Sequence, residues 1–398
     1  MAAMSRPADR ADGVSRMTAT ISEPICLGDA RSGWRPLILD FALPADRERL
    51  AAVAASGGVF SRHDTIDEQL RELVACRHPA EDLDRAALDQ RVAAHLAGRP
   101  SAEHGRWILY PWSGRLVHLL PEDEFNELRS DRNRDKITRD EQRRLRQSRI
   151  GVVGLSVGQA SALTLALESV GGAFRLADFD TLALSNLNRL RAATHELGVN
   201  KAVLAARQMF EIDPYLDIDI FPDGLGEENL ARFMGEGEDR LDLLVEECDD
   251  FFVKVLARHE ARRRGIPVIM DTNDRGLLDI ERFDLEPERP LFHGLAGDLD
   301  PERLRGLSTK EKIPYVMRII DETSISPRLA SSMPQIKRTI CTWPQLASGV
   351  ALGGALVADA ARRLLLGHMS VSGRFYVDIE TIVADPPAAG AAAATRTA

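Results

Sequence analysis

Beyond residue 148 the chain alternates between short apolar runs and stretches with helical spacing. RIGVVG (149–154) and FRLADFD (174–180) have strand length and composition, and QASALTLALESV (159–170) between them carries apolar residues at helical spacing. The pattern repeats with a helix over 200–213, strands over 216–222 and 241–250, a helix over 251–265 and a strand over 266–274. Strands alternating with helices predict an α/β fold, in which a doubly wound, mainly parallel sheet carries helices on both faces and is joined by right-handed crossovers.

The flanks read differently. Residues 34–125 form a small α+β accessory region, with a strand at PLILDF (36–41) and helices over 45–56 and 67–76. A hairpin over 106–121 turns at Ser113-Gly114. Trp107, Tyr110 and Trp112 are read as core, and no chemistry is assigned to this region. Residues 122–148 are charged and helical. A main unit is therefore placed at 126–384. Regularity weakens after Asp284, until a Gly- and Ala-rich helix over 347–367 suited to close packing and a closing strand over 374–381. Residues 1–33 and 385–398 lack a period and are expected to be disordered.

Composition narrows the function classes. The 398 residues carry a net charge of -10, which gives no basic face for nucleic acid. The basic cluster at 132–149 alternates with acids and reads as a solvated helix face. The longest apolar stretch, 346–358, is too short to span a bilayer, and the first 17 residues lack an apolar leader core, so a cytoplasmic protein is expected. Cys26, Cys76, Cys248 and Cys341 form no C-x-x-C pair, so no structural zinc is expected and the thiols are read as reduced.

The candidate chemistry lies at strand ends, where open α/β sheets bind their ligands. Acids close three strands: Asp178 and Asp180, then Asp249 and Asp250, then Asp271 and Asp274. Asp178 follows Gly154 by 24 residues, a spacing suited to a ribose hydroxyl. The segment after it supplies Asn186, Arg189, Arg191 and Lys201. Hydride transfer needs little of this positive charge, whereas transfer of a nucleotidyl group must neutralise phosphate charge. The turn itself, Gly154-Leu155-Ser156-Val157-Gly158-Gln159, departs from G-x-G-x-x-G at its middle and last glycines. It still offers N–H groups to phosphate, and Ser156 adds a hydroxyl.

At these residues the chain resembles the ThiF/MoeB/HesA adenylyltransferases, bacterial relatives of ubiquitin-activating enzymes. The resemblance rests on DRNRDKI, IGVVGLSVG, LADFDTLALSNLNR, GVNKA and ECDD, across about 130–285 and more loosely to about 367. It implies a Rossmann-like fold and activation of a carboxylate as acyl-adenylate with ATP and Mg²⁺, releasing pyrophosphate. The acceptor it implies is the C-terminus of a ubiquitin-like or sulfur-carrier protein, or a peptide. It further implies that Gly154, Ser156 and Gly158 form the phosphate turn and that Asp178 meets the ribose. Asn186, Arg189 and Lys201 would contact phosphates, Asp249 would hold Mg²⁺, and Arg134 would reach the ATP of a partner subunit in a homodimer. Leu190 stands where the family usually has Gln. The chain also resembles a subgroup whose longer members carry a nitroreductase-like domain; that domain is not found here, so no flavin chemistry is expected.

Two alternatives stand beside adenylation: an NAD(P)-linked oxidoreductase, which the fold permits, and a nucleotide-binding module without catalysis. Cys341 falls near the position where some family members accept the acyl group, and Lys337 and Arg338 lie close to it in sequence, although an incidental apolar thiol is the favoured reading. Cys248 is read as structural, His195 as a solvated loop residue, and His259 and His293 show no partner in the sequence.

Overall fold

The computed structural model describes residues 33–384, apart from 298, 300, 305, 306, 308, 322 and 323. The tails expected to be disordered thus lie outside the described residues, except residue 33. Among the described residues there are two sheets. The first contains β1 (Leu37–Asp40), β2 (Ser61–Asp64), β3 (Arg106–Tyr110) and β4 (Arg115–Leu119) in the order β1-β3-β4-β2. The second contains β5 (Arg149–Val153), β6 (Ala173–Ala177), β7 (Asp217–Phe221), β8 (Leu243–Glu246), β9 (Val268–Thr272), β10 (Leu277–Glu281) and β11 (Gly373–Tyr376). Its order is β11-β10-β9-β8-β5-β6-β7. The first five of these in sequence, β5 to β9, pair in parallel, and β10 and β11 close the edge antiparallel.

The central parallel strands β5 and β8 are mostly apolar because both faces are covered, whereas the edge strand β7 exposes Asp217 and Asp219. One face packs against helices Gly158–Glu168, Lys201–Ile212 and Ala347–Leu365, with Leu163, Ala206 and Val357 in a common core. The other packs against helices Glu227–Met234 and Phe251–Arg264, with Phe233 and Val255. The Gly and Ala content of the long C-terminal helix serves close approach, as expected. A Cβ on Gly354 would lie 2.8 Å from the Ala160 carbonyl carbon on the neighbouring helix.

The four-stranded sheet docks on helix Lys201–Ile212 through its aromatic residues. Tyr110 Oη donates to the Phe210 carbonyl at 3.2 Å and Trp112 Nε1 to Glu211 at 2.7 Å, while Trp107 is buried within the sheet's own core. The hairpin turns at Ser113-Gly114 as expected, with Gly114 at φ +62°.

Three local departures have identifiable causes. The charged stretch 122–148 is two helices, Glu122–Arg129 and Arg139–Arg146, because Thr138 and Glu141 form a capping box that starts the second. Strand β10 escaped the sequence reading; it forms a hairpin with β9 through Arg275 and Gly276, both left-handed. The closing strand stops at Tyr376, and residues 379–382 form a short helix capped from Asp378. Within the basic cluster, Arg139 and Arg143 are surface ion pairs, but Arg146 is mostly buried against Asp213. No helix among the described residues is long and apolar enough to cross a membrane.

Because the 2.8 Å approach at Gly354 leaves no room for a methyl group, Gly354→Ala is expected to lower stability by about 1–3 kcal/mol. Urea unfolding followed by circular dichroism reads this directly, and an unchanged midpoint would contradict the packing.

Candidate active site

The order β7-β6-β5-β8-β9 reverses direction at β5, so the crevice for a ligand opens between the carboxyl ends of β5 and β8. Gly154 sits at that point with φ +84°, and a Cβ there would lie 2.6 Å from the Glu247 carbonyl carbon and the Cys248 nitrogen. Only glycine satisfies both the left-handed backbone and the contact. The turn leads into helix Gly158–Glu168, and among the described residues the N–H groups of Ser156 and Val157 make no hydrogen bond.

Asp178 lies buried beneath this turn. Its carboxylate accepts from Leu155 N at 2.6 Å and Asp180 N at 2.8 Å. Burial raises its carboxyl above the ordinary value, against the pull of the Leu155 N–H and the Lys201 charge. Lys201 is buried too, and its ammonium is tied to Asp180 at 2.8 Å. Asn200, unmarked in the sequence reading, caps the helix through Ala202 N and Val203 N and donates to the Asp178 carbonyl. The Asn186 amide oxygen accepts from Ala183 N and shapes its own turn.

Arg189 crosses to the glycine turn, where Nη2 donates to Ser156 Oγ at 3.0 Å and Nη1 to Asn188 Oδ1 at 2.9 Å. Its Nε is buried without a partner. Burial lowers its pKa, and the charge of Asp249 opposes that shift, so the two side chains face one another electrostatically. Asp249 itself is exposed at the end of β8, while its neighbour Asp250 caps helix Phe251–Arg264.

Two of the departures from the family pattern have structural roles. Gln159, in place of the last glycine, is buried; its Oε1 accepts from Arg191 N at 3.0 Å and its Nε2 donates to Arg191 O at 3.2 Å. It thereby clamps the cationic segment to the helix. Leu190, in place of the usual Gln, packs with Leu182, Val199 and Val203.

A cleft of about 1920 Å³ opens beside the turn, lined by Val157, Glu247, Asp249, Asp271, Trp343 and Cys341 among others. Cys341 is exposed there, not an apolar buried thiol. Cys248 is half-buried, and burial, followed by the Glu246 charge, pushes its thiol well above the ordinary value. That fits its structural reading. Beneath the cleft, Glu246 is fully buried yet held down at about 2: burial works to raise it, and Lys254 and Arg258 overcome that.

The sequence reading missed Glu247, which pairs with Asp271 in the cleft floor. Asp271 N donates to Glu247 Oε1 at 2.8 Å, and neither Asp271 carboxyl oxygen has a hydrogen-bond partner. Burial pushes Asp271 up to about 6, and burial together with Asp271 pushes Glu247 well above its ordinary value. Burial disfavours ionisation of both carboxyls, and the Asp271 charge further disfavours that of Glu247, so the pair takes up protons more readily than free carboxyls do.

Arg134 is not brought to this crevice. It pairs with Asp131 at 2.9 Å, next to Asn133, which donates to the Glu168 carbonyl at the far end of helix Gly158–Glu168. His195 is placed in a short exposed turn, whereas His259 reaches the Leu299 carbonyl and His293 reaches Asp279.

These features belong to a doubly wound α/β domain with Arg189 gathered onto the glycine turn at its topological switch point. The chain belongs to the ThiF family, whose model matches residues 130–383. It is 49% identical over 303 residues to the uncharacterized protein MT1398 of Mycobacterium tuberculosis, covering 75% of this chain and 42% of that one. It is 28% identical over 159 residues to the molybdopterin-synthase adenylyltransferase of Haemophilus influenzae, covering 39% of this chain and 63% of that enzyme. The chain thus spans less than two thirds of either relative. Among solved structures it is similar to the tRNA N6-threonylcarbamoyladenosine dehydratase of E. coli in complex with ATP, at 18% identity and a TM-score of 0.44, covering 61% of this chain and 95% of that one.

The Glu247–Asp271 pair makes stability depend on pH with a definite sign. A carboxyl whose folded pKa is raised favours the fold when protonated. Its contribution is therefore complete below the unfolded value near ~4 and is lost as pH rises through about 6. Asp271→Asn removes this ionisation. The variant is expected to gain stability relative to the parent between pH 4 and 7, by on the order of 1 kcal/mol or more. Urea midpoints across that range test it; a difference that does not change with pH would refute the raised ionisation of Asp271.

Proposed function

We propose that this chain is an ATP-dependent adenylyltransferase that activates a carboxylate as its acyl-adenylate and releases pyrophosphate. The observation that carries the reading is Arg189. Its guanidinium is held on Ser156 of the glycine turn and faces Asp249, with Nε buried and unpartnered. A cation so placed is suited to negative charge developing on phosphate. Family membership supports the same reaction class.

In this reading Gly154, Ser156 and Gly158 present the turn and helix terminus to the triphosphate. Asp178 meets the ribose through lone pairs its backbone bonds leave free. Asn186 holds the following turn. Lys201 acts on phosphate only by leaving Asp180, and otherwise braces that acid. Asp249 fits Mg²⁺ as a single exposed carboxylate, since that ion takes one or two carboxylates with phosphates and waters; when bound it would supply charge neutralisation to the leaving pyrophosphate.

The acceptor oxygen attacks the α-phosphorus, and the bond to the pyrophosphate oxygen breaks. No general base is needed, because a carboxylate is already ionised; catalysis rests on positioning and electrostatics. The cleft exceeds the ~300–1,000 Å³ of small-molecule sites, which suits a polypeptide tail such as that of a ubiquitin-like or sulfur-carrier protein, or a peptide. Cys341 lines the same cleft, and in this reading its thiolate takes the acyl group as a thioester while AMP leaves. Arg134 serves the site of a second copy in a homodimer.

Exchange of labelled pyrophosphate into ATP, dependent on a carboxylate acceptor, tests the activity. Arg189→Ala is expected to lower exchange by about 10²–10³, and an undiminished rate would remove Arg189 from the site. A nucleotide-binding protein without exchange would answer to the non-catalytic alternative. Mixing inactive Arg134→Ala and Arg189→Ala chains is expected to restore about a quarter of the parent rate, because half the dimers then hold one intact site. No recovery on mixing would place Arg134 outside catalysis.

A further inference from the structure

The accessory region, to which the sequence assigned no chemistry, brings two imidazoles and a carboxylate to one point. His95 lies in the last turn of helix Arg85–Leu96, His104 follows the short turn Ser101–Glu103, and Glu124 lies in the first turn of helix Glu122–Arg129. One ligand atom from each falls within 4.8 Å of the others. His95 Nε2 is 2.7 Å from Glu124 Oε1, and His104 Nε2 is 2.8 Å from Oε2.

We propose that His95, His104 and Glu124 form a binding site for a divalent transition-metal ion of the zinc type. Imidazole nitrogens with one carboxylate are a donor set that such ions take, with water completing the shell. A tetrahedral ion about 2.1 Å from each donor would hold the donors roughly 3.4 Å apart, so small side-chain shifts that open the 2.7 and 2.8 Å approaches to Glu124 suffice.

A carboxylate that simply accepts from two imidazoles does not explain the cluster. His104 Nε2 is aligned on Glu124 as a hydrogen bond, but His95 Nε2 is not, and it is buried with no other partner. A short approach without alignment is what a cation between the groups would organise.

The surroundings fix the donors. The His104 carbonyl accepts from His118 Nε2 at 2.7 Å, and His118 Nδ1 is 2.8 Å from Asp64. His118 is fully buried and stacks on Trp107 with ring centroids 4.4 Å apart. Gly105, at φ +92°, lies so close to the Leu119 carbonyl that no side chain fits. These contacts fix the backbone that carries His104.

The site would act as a staple. The helix bearing Glu124 also places Phe125 against Tyr215 and Arg129 on the Ala166 and Leu167 carbonyls of the seven-stranded half. An ion held there ties the accessory sheet to the segment that leads to Arg134.

Zn²⁺ titrated into the chelator-stripped full chain, followed by calorimetry and by thermal unfolding, tests the site. One equivalent is expected to bind and to raise Tm, as any ligand of the folded state does. His95→Ala, at a side chain still partly exposed, is expected to weaken Zn²⁺ binding by at least ~10-fold and to abolish the Tm rise. His95→Cys, which supplies another zinc donor, is expected to retain both. Co²⁺ is expected to show the absorption of a nitrogen- and oxygen-ligated ion in the parent. Failure of the parent to bind one equivalent, or binding of equal strength by His95→Ala, overturns the proposal. So does a thiolate-type Co²⁺ spectrum in the parent, which would move the ion to Cys76, Cys248 or Cys341.

Discussion

The organising constraint of the molecule is the contact between Gly154 and the backbone at Glu247 and Cys248. Two parallel strands, β5 and β8, diverge from a common pairing and release their chains in different directions. The turn after β5 must nevertheless pass against the end of β8 at a distance that excludes a Cβ. That passage puts Ser156 and the start of helix Gly158–Glu168 on one side of the crevice and Asp249 on the other. It also lets Leu155 N reach Asp178 at the end of β6, so three strand ends are locked to one turn. Widening this contact would separate Arg189 from Asp249 without touching either.

Around that contact the chain tolerates considerable variation. Of the glycines usual in such turns, Gly154 is dictated by backbone conformation and clearance, whereas the position of Gln159 is not. There the longer side chain turns away from the crevice and binds both backbone groups of Arg191. Gln208 reinforces the bond on the Arg191 carbonyl. Flexibility given up at the turn thus reappears as order in the cationic segment, which is otherwise an exposed loop of 3-10 turns with little packing of its own. The substitution at Leu190 works similarly, by exchanging a polar contact for a place in a small apolar cluster.

The parts legible in the sequence were those set by local pattern. The central parallel strands announced themselves by their apolar runs, Gly154, Asp178 and Asp249 by their places at strand ends, and Arg189 by the cationic segment that follows Asp178. Long-range effects were not legible. The acid pair Glu247–Asp271 depends on how β8 and β9 stagger, and a carboxylate in ECDD looks the same whether it is exposed, as in Asp249, or buried, as in Glu247. Lys201 carried no mark that its charge would be matched by Asp180. The hairpin β9–β10 hid because Asp279 and Glu281, buried by Arg374, His293 and Arg258, broke its apolar pattern. One break could have been found: Thr138 and Glu141 stand at capping-box spacing within a run read as continuous helix.

The same argument explains why the histidines of the accessory sheet stayed silent in the sequence. His95, His104 and His118 fall on three different elements, and their spacing fits no motif. They meet only because the four-stranded sheet folds helix Arg85–Leu96 back over helix Glu122–Arg129. That second helix belongs to both halves of the molecule: Glu124 faces the imidazoles, while Arg129 also reaches Asp213 beyond helix Lys201–Ile212. Arg146, from the next helix, meets the same Asp213 at 2.7 Å. A buried carboxylate shared by two guanidinium groups from successive helices holds a junction rigidly, since either cation alone would leave it under-compensated. The accessory sheet is therefore mechanically continuous with the segment that carries Arg134, and the position of that arginine is set from both halves at once.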